Sequence, residues 1–361
     1  MTLHIFNPEH DMALAANLEN FTSPHAGRQM RYEMGYLPAI WAEEEDVVLV
    51  DDVREAEKNF RLFNTYVKRM SMNGATLGTP RFVNSKEVAR LESITGVDPW
   101  GWDAAVRGQL LRYGVGEEWL LSLEEVKQVR ELSHRRLTAS LLPSLKEEFT
   151  LGEAFECESA EDVMQLFEQY GRIVVKAPWS CSGRGVRFFT EAPLTESQTG
   201  WLRNVLKQQR SVMVEPLYNK VKDFGMEFEC HQGKVSYCGL SLFDTANGAY
   251  TGNILATESA KQQMLERYIP WKQLSLIQEK ACAVLTDIIG QDYEGPLGID
   301  MMIVNDPQAT SLRLHPCVEV NLRRTMGHVA LYLSQLCNPQ NDDEWIRVMR
   351  NQGTGLKLKL L

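Results

Sequence analysis

Several things are scarce or missing in this 361-residue sequence. No apolar run approaches the roughly 20 residues that a membrane-spanning helix needs, so no membrane partner is expected. The seven cysteines are scattered and no CxxC occurs; they read as buried or incidental thiols in a reducing compartment. Positive charge is in deficit, with 38 Lys and Arg against 48 Asp and Glu, a net charge of −10. A nucleic-acid partner held by bulk electrostatics is therefore not expected, although small anions can bind at local basic sites. The N-terminus, MTLHIFNPEHDMALAANL, lacks a basic segment and carries Glu9 and Asp11 early, unlike a signal peptide. Internal repeats and low-complexity tracts are absent too. The expectation is a soluble cytoplasmic protein, long enough for two or three domains with real cores.

What is present reads as mixed α and β. Leu3-His4-Ile5-Phe6 is a short strand running into the polar turn NPEHD, and Ser23-Pro24 reads as a helix start with serine as N-cap. Apolar strands are expected at 46–51 and 79–83, with helices between, so residues 1 to about 120 form a small α/β unit. Ser122 with Glu125 is a capping box opening a helical stretch to about Leu142, where Pro143 stops it. Strands are expected again at 172–176, 212–217, 224–230 and 234–243, and helices at 195–209, 258–267 and 273–290. GPLGIDMMIV and LRLHPCVEVN flank Asn305-Asp306-Pro307 as a hairpin, and helices are expected to finish the chain. The fold class is α+β with an N-terminal α/β domain, divided as 1–125, 126–225 and 226–361.

Three stretches carry chemistry. In RIVVKAPWSCSGRGVR, Lys176 ends an apolar strand and precedes a small-residue loop. A Walker A loop places its lysine after the glycines, and a dinucleotide fingerprint needs a third glycine where Phe188 stands. What remains is a strand lysine followed by a loop whose backbone N–H groups, Ser180, Ser182 and Arg184 can surround phosphates. The alternative is a solvent-facing lysine and an ordinary hairpin loop. In the second stretch, Glu319 and Asn321 share a strand face, and a turn near 308–311 brings Asp300 opposite Glu319. Two carboxylates facing each other across a sheet repel. A divalent cation resolves the conflict, and two carboxylates plus an amide suit Mg²⁺ or Mn²⁺. The alternative is that all three face solvent or that the register differs. Third, VMVEPL is an apolar strand ending in proline, with Asp223 eight residues after Glu215. Its backbone can pair with an adenine edge and Asp223 with ribose hydroxyls, or it is an ordinary strand and loop.

Taken in order, these pieces resemble the ATP-grasp superfamily over residues 126–330, most specifically in GPLGIDMMIV followed by VEVNLRR. The resemblance implies two α+β subdomains gripping ATP. Lys176 would hold the α- and β-phosphates, and the loop Ser180, Ser182, Gly183, Arg184, Gly185 would close over the β- and γ-phosphates. Glu215 and the backbone near Leu217 would meet adenine, and Asp223 the ribose. Asp300, Glu319 and Asn321 would bind Mg²⁺, or Mn²⁺, and Arg323 would stabilise the transferring phosphoryl group or hold an acyl-phosphate. Arg136 of SHRRL stands where the family usually has a lysine, a departure, since arginine meets an anion with different geometry.

The resemblance also implies carboxylate activation by ATP, with a small-molecule carboxylate and an amine as substrates. Competing readings are a small-molecule kinase of the same fold and a non-catalytic ATP-binding sensor or scaffold. A homodimer is compatible with either. For the substrate, the turn after the first strand offers Asn7, Glu9, His10 and Asp11, where α/β domains place ligand loops; the alternative is a loop capping the next helix. His25 is a weaker candidate from the same region, and His328 lies just beyond Arg323. Trp100 and Trp102 read as packing anchors more than stacking platforms.

Overall fold

The computed structural model describes residues 1–71, 74–180, 185–246, 249–337, 345–351 and 355–360. Its first sheet is all parallel, built from β1 (Thr2–Ile5), β2 (Val47–Leu49), β3 (Arg81–Val83) and β4 (Gly96–Pro99) in the order β3-β2-β1-β4. Leu3, Val47, Val48 and Val83 are almost wholly buried, because helices cover both faces of a parallel sheet. Strand β4 reads GVDP, three residues of which are poor strand formers, and the sequence gives it no strand signal. It pairs with β1 from Thr2↔Gly96 to Ile5↔Pro99. The strand order places β2 and β4 on opposite sides of β1. The carboxyl ends of β1 and β4 are therefore a topological switch point, where open α/β sheets bind ligands. The NPEHD turn leaves β1 there, and the Trp100–Asp103 turn leaves β4.

The second sheet holds β5 (Phe155–Cys157), β6 (Ile173–Lys176), β7 (Val186–Phe189) and β8 (Val212–Pro216), antiparallel in the order β5-β8-β6-β7. Helices Ala160–Tyr170 and Glu196–Gln209 bury Phe167, Leu202 and Val205 against it, each opened by a capping box. The third sheet runs β10-β9-β13-β14, with β9 (Lys220–His231), β10 (Lys234–Ser241), β13 (Gly295–Val304) and β14 (Arg313–Asn321). Strict alternation sorts its faces. Phe224, Met226 and Phe228 of β9, with Leu297, Ile299 and Met301 of β13, enter one core with Leu274, Ile277 and Leu285 of helix Trp271–Ile289. The opposite face carries Asp223, Gly225 and Glu227 of β9 and Gly298 and Asp300 of β13.

A fourth sheet, β11-β12-β15-β16, joins β11 (Phe243–Ala246) and β12 (Ala249–Ile254) to β15 (Trp345–Asn351) and β16 (Gly355–Leu360). The chain therefore ends on a hairpin after helix Met326–Cys337, not on helices as expected. Two more expectations change. The stretch 122–142 is two helices, Leu123–Leu132 and Arg136–Leu141, parted at His134, whose Nδ1 accepts the Arg136 N–H at 2.9 Å. Ser23 does not cap helix His25–Met34; Pro24 occupies the N-cap position and no side chain caps that end. The expected division at 225/226 falls inside β9, a strand paired with β13 from Lys220 to Cys230 with one register shift. No helix among the described residues is long and apolar enough to cross a membrane.

Candidate functional site

The β13–β14 hairpin holds the centre of the site. Its register pairs Asp300 with Glu319 and Gly298 with Asn321, so Asp300, Glu319 and Asn321 meet on one face. Between Asp300↔Glu319 and Met302↔His315 the register shifts: β14 carries three residues, Pro316 to Val318, against Met301 alone. Pro316 has no N–H to give a ladder, and prolines inside sheets are found at such bulges. The bulge turns the Val318 carbonyl toward Lys176, whose Nζ donates to it at 3.1 Å. Burial and the facing Glu319 push the Asp300 carboxyl up to about 7, against the pull of Arg323. Asn321 Nδ2 donates to Asp300 Oδ2 at 3.3 Å. Two carboxylates and an amide on one face, with the charge of Asp300 opposed by burial and by the facing Glu319, have the oxygen donors and the charge deficit that Mg²⁺ or Mn²⁺ would satisfy.

Cations surround this face. Arg323 forks onto Asp11, with Nε to Oδ1 at 2.9 Å and NH2 to Oδ2 at 3.0 Å, and NH2 also reaches Asn321 Oδ1 at 3.0 Å. Burial alone would raise Asp11, but the guanidinium outweighs it and holds the carboxyl below its ordinary range. Lys176, 6 % exposed, bonds Glu215 Oε1 at 2.5 Å. Burial pushes Glu215 up while Lys176 opposes the shift. Arg135, in the break between the two helices, donates to Ser180 Oγ at 2.7 Å and to Glu319 Oε1 at 2.7 Å. Ser180 is packed against Gly185, where an added Cβ would come 2.0 Å from Ser180 Oγ. A narrow cleft lies among these groups, lined by His10, Asp11, Arg135, Ser180, Glu319 and Arg323 among others.

Several expected residues stand elsewhere or are differently engaged. Arg136 is half exposed and pairs with Glu156 at 3.1 Å; its neighbour Arg135 is the arginine at the site. The Leu217 N–H donates to Arg172 O at 2.9 Å and is not free for a base edge, and the Glu215 carboxylate is committed to Lys176. Asp223 lies on the site face and pairs with Lys220 at 2.6 Å. His328 is buried, with Nε2 donating to Phe228 O at 3.1 Å and Nδ1 accepting the Thr325 N–H at 3.2 Å, so its ring is spent inside the protein. His25 is exposed at the start of its helix. Ser182, Gly183 and Arg184 lie outside the described residues. In the NPEHD turn, Glu9 is held by Arg31 at 2.7 Å, and burial raises its pKa against that pull. Asn7 and His10 both bond Asp103. Trp100 packs edge-on to Phe6 at 5.0 Å, an anchor as expected.

Three site residues escaped the sequence reading. Arg135 needed the helix break. Asp103 needed β4. Glu227 had a signal, a glutamate alternating with Phe224, Met226 and Phe228 on a strand that reaches Asp223. It lies two residues from Gly225, the partner of Asp300, and its carboxylate sits between Gly298 and Gly327, where added Cβ atoms would come 2.5 and 1.8 Å from its oxygens. Burial pushes Glu227 up to about 8, against a hydrogen bond from Thr325 and with Asp300 adding to the push.

No protein-family model matches the chain, and no curated protein has a similar sequence. Solved structures do match. The N5-carboxyaminoimidazole synthetase of Staphylococcus aureus, complexed with ADP, aligns over 98 % of this chain and 82 % of its own at 12 % identity, with a TM-score of 0.51. The biotin carboxylase of Campylobacter jejuni, in a β,γ-ATP complex, aligns over 99 % of this chain and 73 % of its own at 12 % identity, with a TM-score of 0.52. With nearly the whole chain superposed on two such proteins, and with the strand lysine, hinge strand and paired carboxylates in the expected order, the chain has the ATP-grasp fold.

Proposed function

We propose that the protein is an ATP- and Mg²⁺-dependent ligase that activates a small carboxylate as an acyl-phosphate for attack by an amine. One observation carries the reading. The Asp300–Glu319 pair, with Asn321, stands beside Lys176, Arg135 and Arg323, and Glu319, Asn321, Arg135 and Arg323 line a cleft whose other wall is the turn at the switch point of the N-terminal sheet. Asp300, Glu319 and Asn321 would hold the metal, which supplies charge neutralisation for phosphoryl transfer. That reaction needs positioning and neutralised charge and little covalent help from protein, which fits a cleft built of cations and oxygen donors. Lys176 and Arg135 would orient phosphate oxygens, each leaving the carboxylate it now holds. Arg323, fixed by Asp11, would face the carboxylate being activated. The loop from Ser180 to Gly185 would exclude water, since an exposed acyl-phosphate hydrolyses. We take the units to be the parallel-sheet region to about 125, the β5–β8 region to about 219, and the remainder.

The test is ADP release with Mg²⁺ and ATP over a panel of amino acids and small carboxylic acids, with hydroxylamine as the trapping nucleophile. Hydroxamate formed with one carboxylate, in step with ADP, is the expected result. ADP release with phosphate retained on the acid and no need for a nucleophile would make the protein a kinase.

A further inference from the structure

His10 opens helix His10–Ala16 at the switch point and is 1 % exposed. Its Nδ1 lies 3.0 Å from Asp103 Oδ2. Asp103 is equally buried and firmly held: Oδ1 caps the next helix by accepting the Val106 N–H at 2.8 Å, and Oδ2 also accepts from Asn7 Nδ2 at 3.1 Å. Asn7 is aimed in turn by the Gly101 carbonyl at 2.8 Å. An ionised carboxylate only accepts, so the proton of a neutral His10 sits on Nδ1, and Nε2 is left with its lone pair. Gly101 lies against the ring, where an added Cβ would come within 2.7 Å, so the imidazole has its place there only beside a residue without a side chain. Nε2 has no hydrogen-bond partner among the described residues, and His10 lines the cleft that Arg323, Arg135 and Glu319 also line.

An oriented carboxylate, a histidine fixed in one tautomer and a free nitrogen at a reaction cleft are the parts of a general base. We propose that His10, positioned by Asp103, is the base that deprotonates the amine nucleophile; this rests on the ligase reading above. An ammonium substrate gives one proton to His10 Nε2. The freed lone pair forms the C–N bond as the C–O bond to phosphorus-bound oxygen breaks. The departing phosphate keeps that electron pair and takes the second proton from nitrogen, so amide, hydrogen phosphate and imidazolium result. The imidazolium then loses its proton to water. His10 is thus a catalytic residue and Asp103 a positioning residue.

The nucleophile itself supplies the test. Hydroxylamine is largely unprotonated at neutral pH and needs no base, whereas amino acids and ammonia are protonated and do. Wild type, His10→Gln and Asp103→Asn are assayed for Mg²⁺- and ATP-dependent product from the carboxylate panel with each nucleophile. The ratio of amine rate to hydroxylamine rate should fall by about 10²–10⁴ in His10→Gln. Asp103→Asn keeps an oxygen for the helix cap but offers an N–H to Nδ1. It should move His10 to the Nε2–H tautomer, visible in ¹⁵N NMR of histidine-labelled protein, and lower the same ratio. A ratio unchanged in both variants, or a wild-type His10 already in the Nε2–H tautomer, overturns the base. If His10→Gln does not fold, the ratio in Asp103→Asn decides alone. Wild type that makes hydroxamate shows the ligase reading sound whatever the ratio does; wild type inactive with every nucleophile sinks that reading, and the base with it.

Discussion

Asp98 on β4 and Asp300 on β13 are both half-buried strand aspartates, and they differ in what answers their charge. Asp98 accepts from His4 Nδ1 at 2.8 Å, Trp41 Nε1 at 3.0 Å and Arg324 NH2 at 3.1 Å. His4 donates its other nitrogen to Asp46 at 3.1 Å, so both ring nitrogens carry protons. Burial works against the charges of both groups. The His4 hydrogen bond and Arg324 nevertheless bring Asp98 down to about 2, and the two carboxylates raise His4. Arg324 also stacks over Trp41 at 4.3 Å. Asp300 has one amide donor and a second carboxylate facing it. The first cluster has its charges answered without a ligand, and it ties β1 and β4 to the residue after Arg323. The second is complete only with added positive charge. A buried group satisfied by protein belongs to folding, and one left in conflict marks a place where something else binds.

The largest expected effect is on the satisfied side. Asp98→Asn leaves His4 and Arg324 buried without their shared anion and should cost on the order of 3 kcal/mol of stability, read by urea denaturation. A variant as stable as wild type would mean that the network is surface decoration and that the contrast with Asp300 is false.

On the unsatisfied side the sign reverses. Asp300→Asn relieves a repulsive pair, so the metal-free protein should melt no earlier than wild type. Its Mg²⁺ requirement for ATP binding, followed by calorimetry, should rise about tenfold or more with the loss of an anionic oxygen ligand. Glu319 is a less clean probe, because Arg135 already pairs with it at 2.7 Å. An early-melting Asp300→Asn with normal Mg²⁺ dependence would make Asp300 a structural carboxylate.

The two aspartates should also titrate in opposite directions without metal. Asp98, lowered to about 2, contributes stability that is present above its unfolded value near 4 and lost as pH falls toward 2. Asp300, raised to about 7, contributes stability that is present below about 4 and lost as pH rises through 7. Subtracting the pH–stability curve of Asp300→Asn from that of wild type should leave a term falling between pH 4 and 7. The same subtraction for Asp98→Asn should leave one rising between pH 2 and 4. A flat Asp300 difference would show that its carboxyl is ionised in the fold at no cost.

The unsatisfied cluster was readable in the sequence and the satisfied one was not, for a physical reason. Asp300, Glu319 and Asn321 sit on two adjacent strands joined by one turn, so period-two alternation and the Asn305-Asp306-Pro307 turn suffice to bring them together. His4, Asp46, Asp98 and Arg324 come from parts of the chain up to 320 residues apart, and they meet only through a parallel sheet whose fourth strand, GVDP, has no strand signature. The same obstacle hid Asp103 behind His10. Glu227 was missed although period-two alternation on β9 places it on the face of Asp223 and Gly225. The closing hairpin β15–β16 was missed because WIRVMRN and GLKLKL are short and charged, and the hairpin joins its sheet through β15 on β12, about 90 residues earlier.

Neighbouring arginines offer the smallest effect and the finest test of what a helix break decides. Sequence alone cannot choose between Arg135 and Arg136, since both follow His134 in SHRRL and either could turn toward an anion. The break after Leu132 settles the direction. Arg135 points to Ser180 and Glu319, and Arg136 begins the next helix with its side chain on Glu156, half in solvent. An exposed pair of that kind contributes about 0–1 kcal/mol. Arg136→Ala should therefore shift the melting transition by little and leave Mg²⁺- and ATP-binding constants within about twofold, whereas Arg135→Ala frees Glu319, deepens its conflict with Asp300 and should alter both. If Arg136→Ala instead weakens nucleotide binding as much as Arg135→Ala does, Arg136 must swing from Glu156 to the phosphates when ATP arrives. The lysine position of the resemblance would then belong to Arg136 after all, with Arg135 as the cation that stands in beside Glu319 until metal binds.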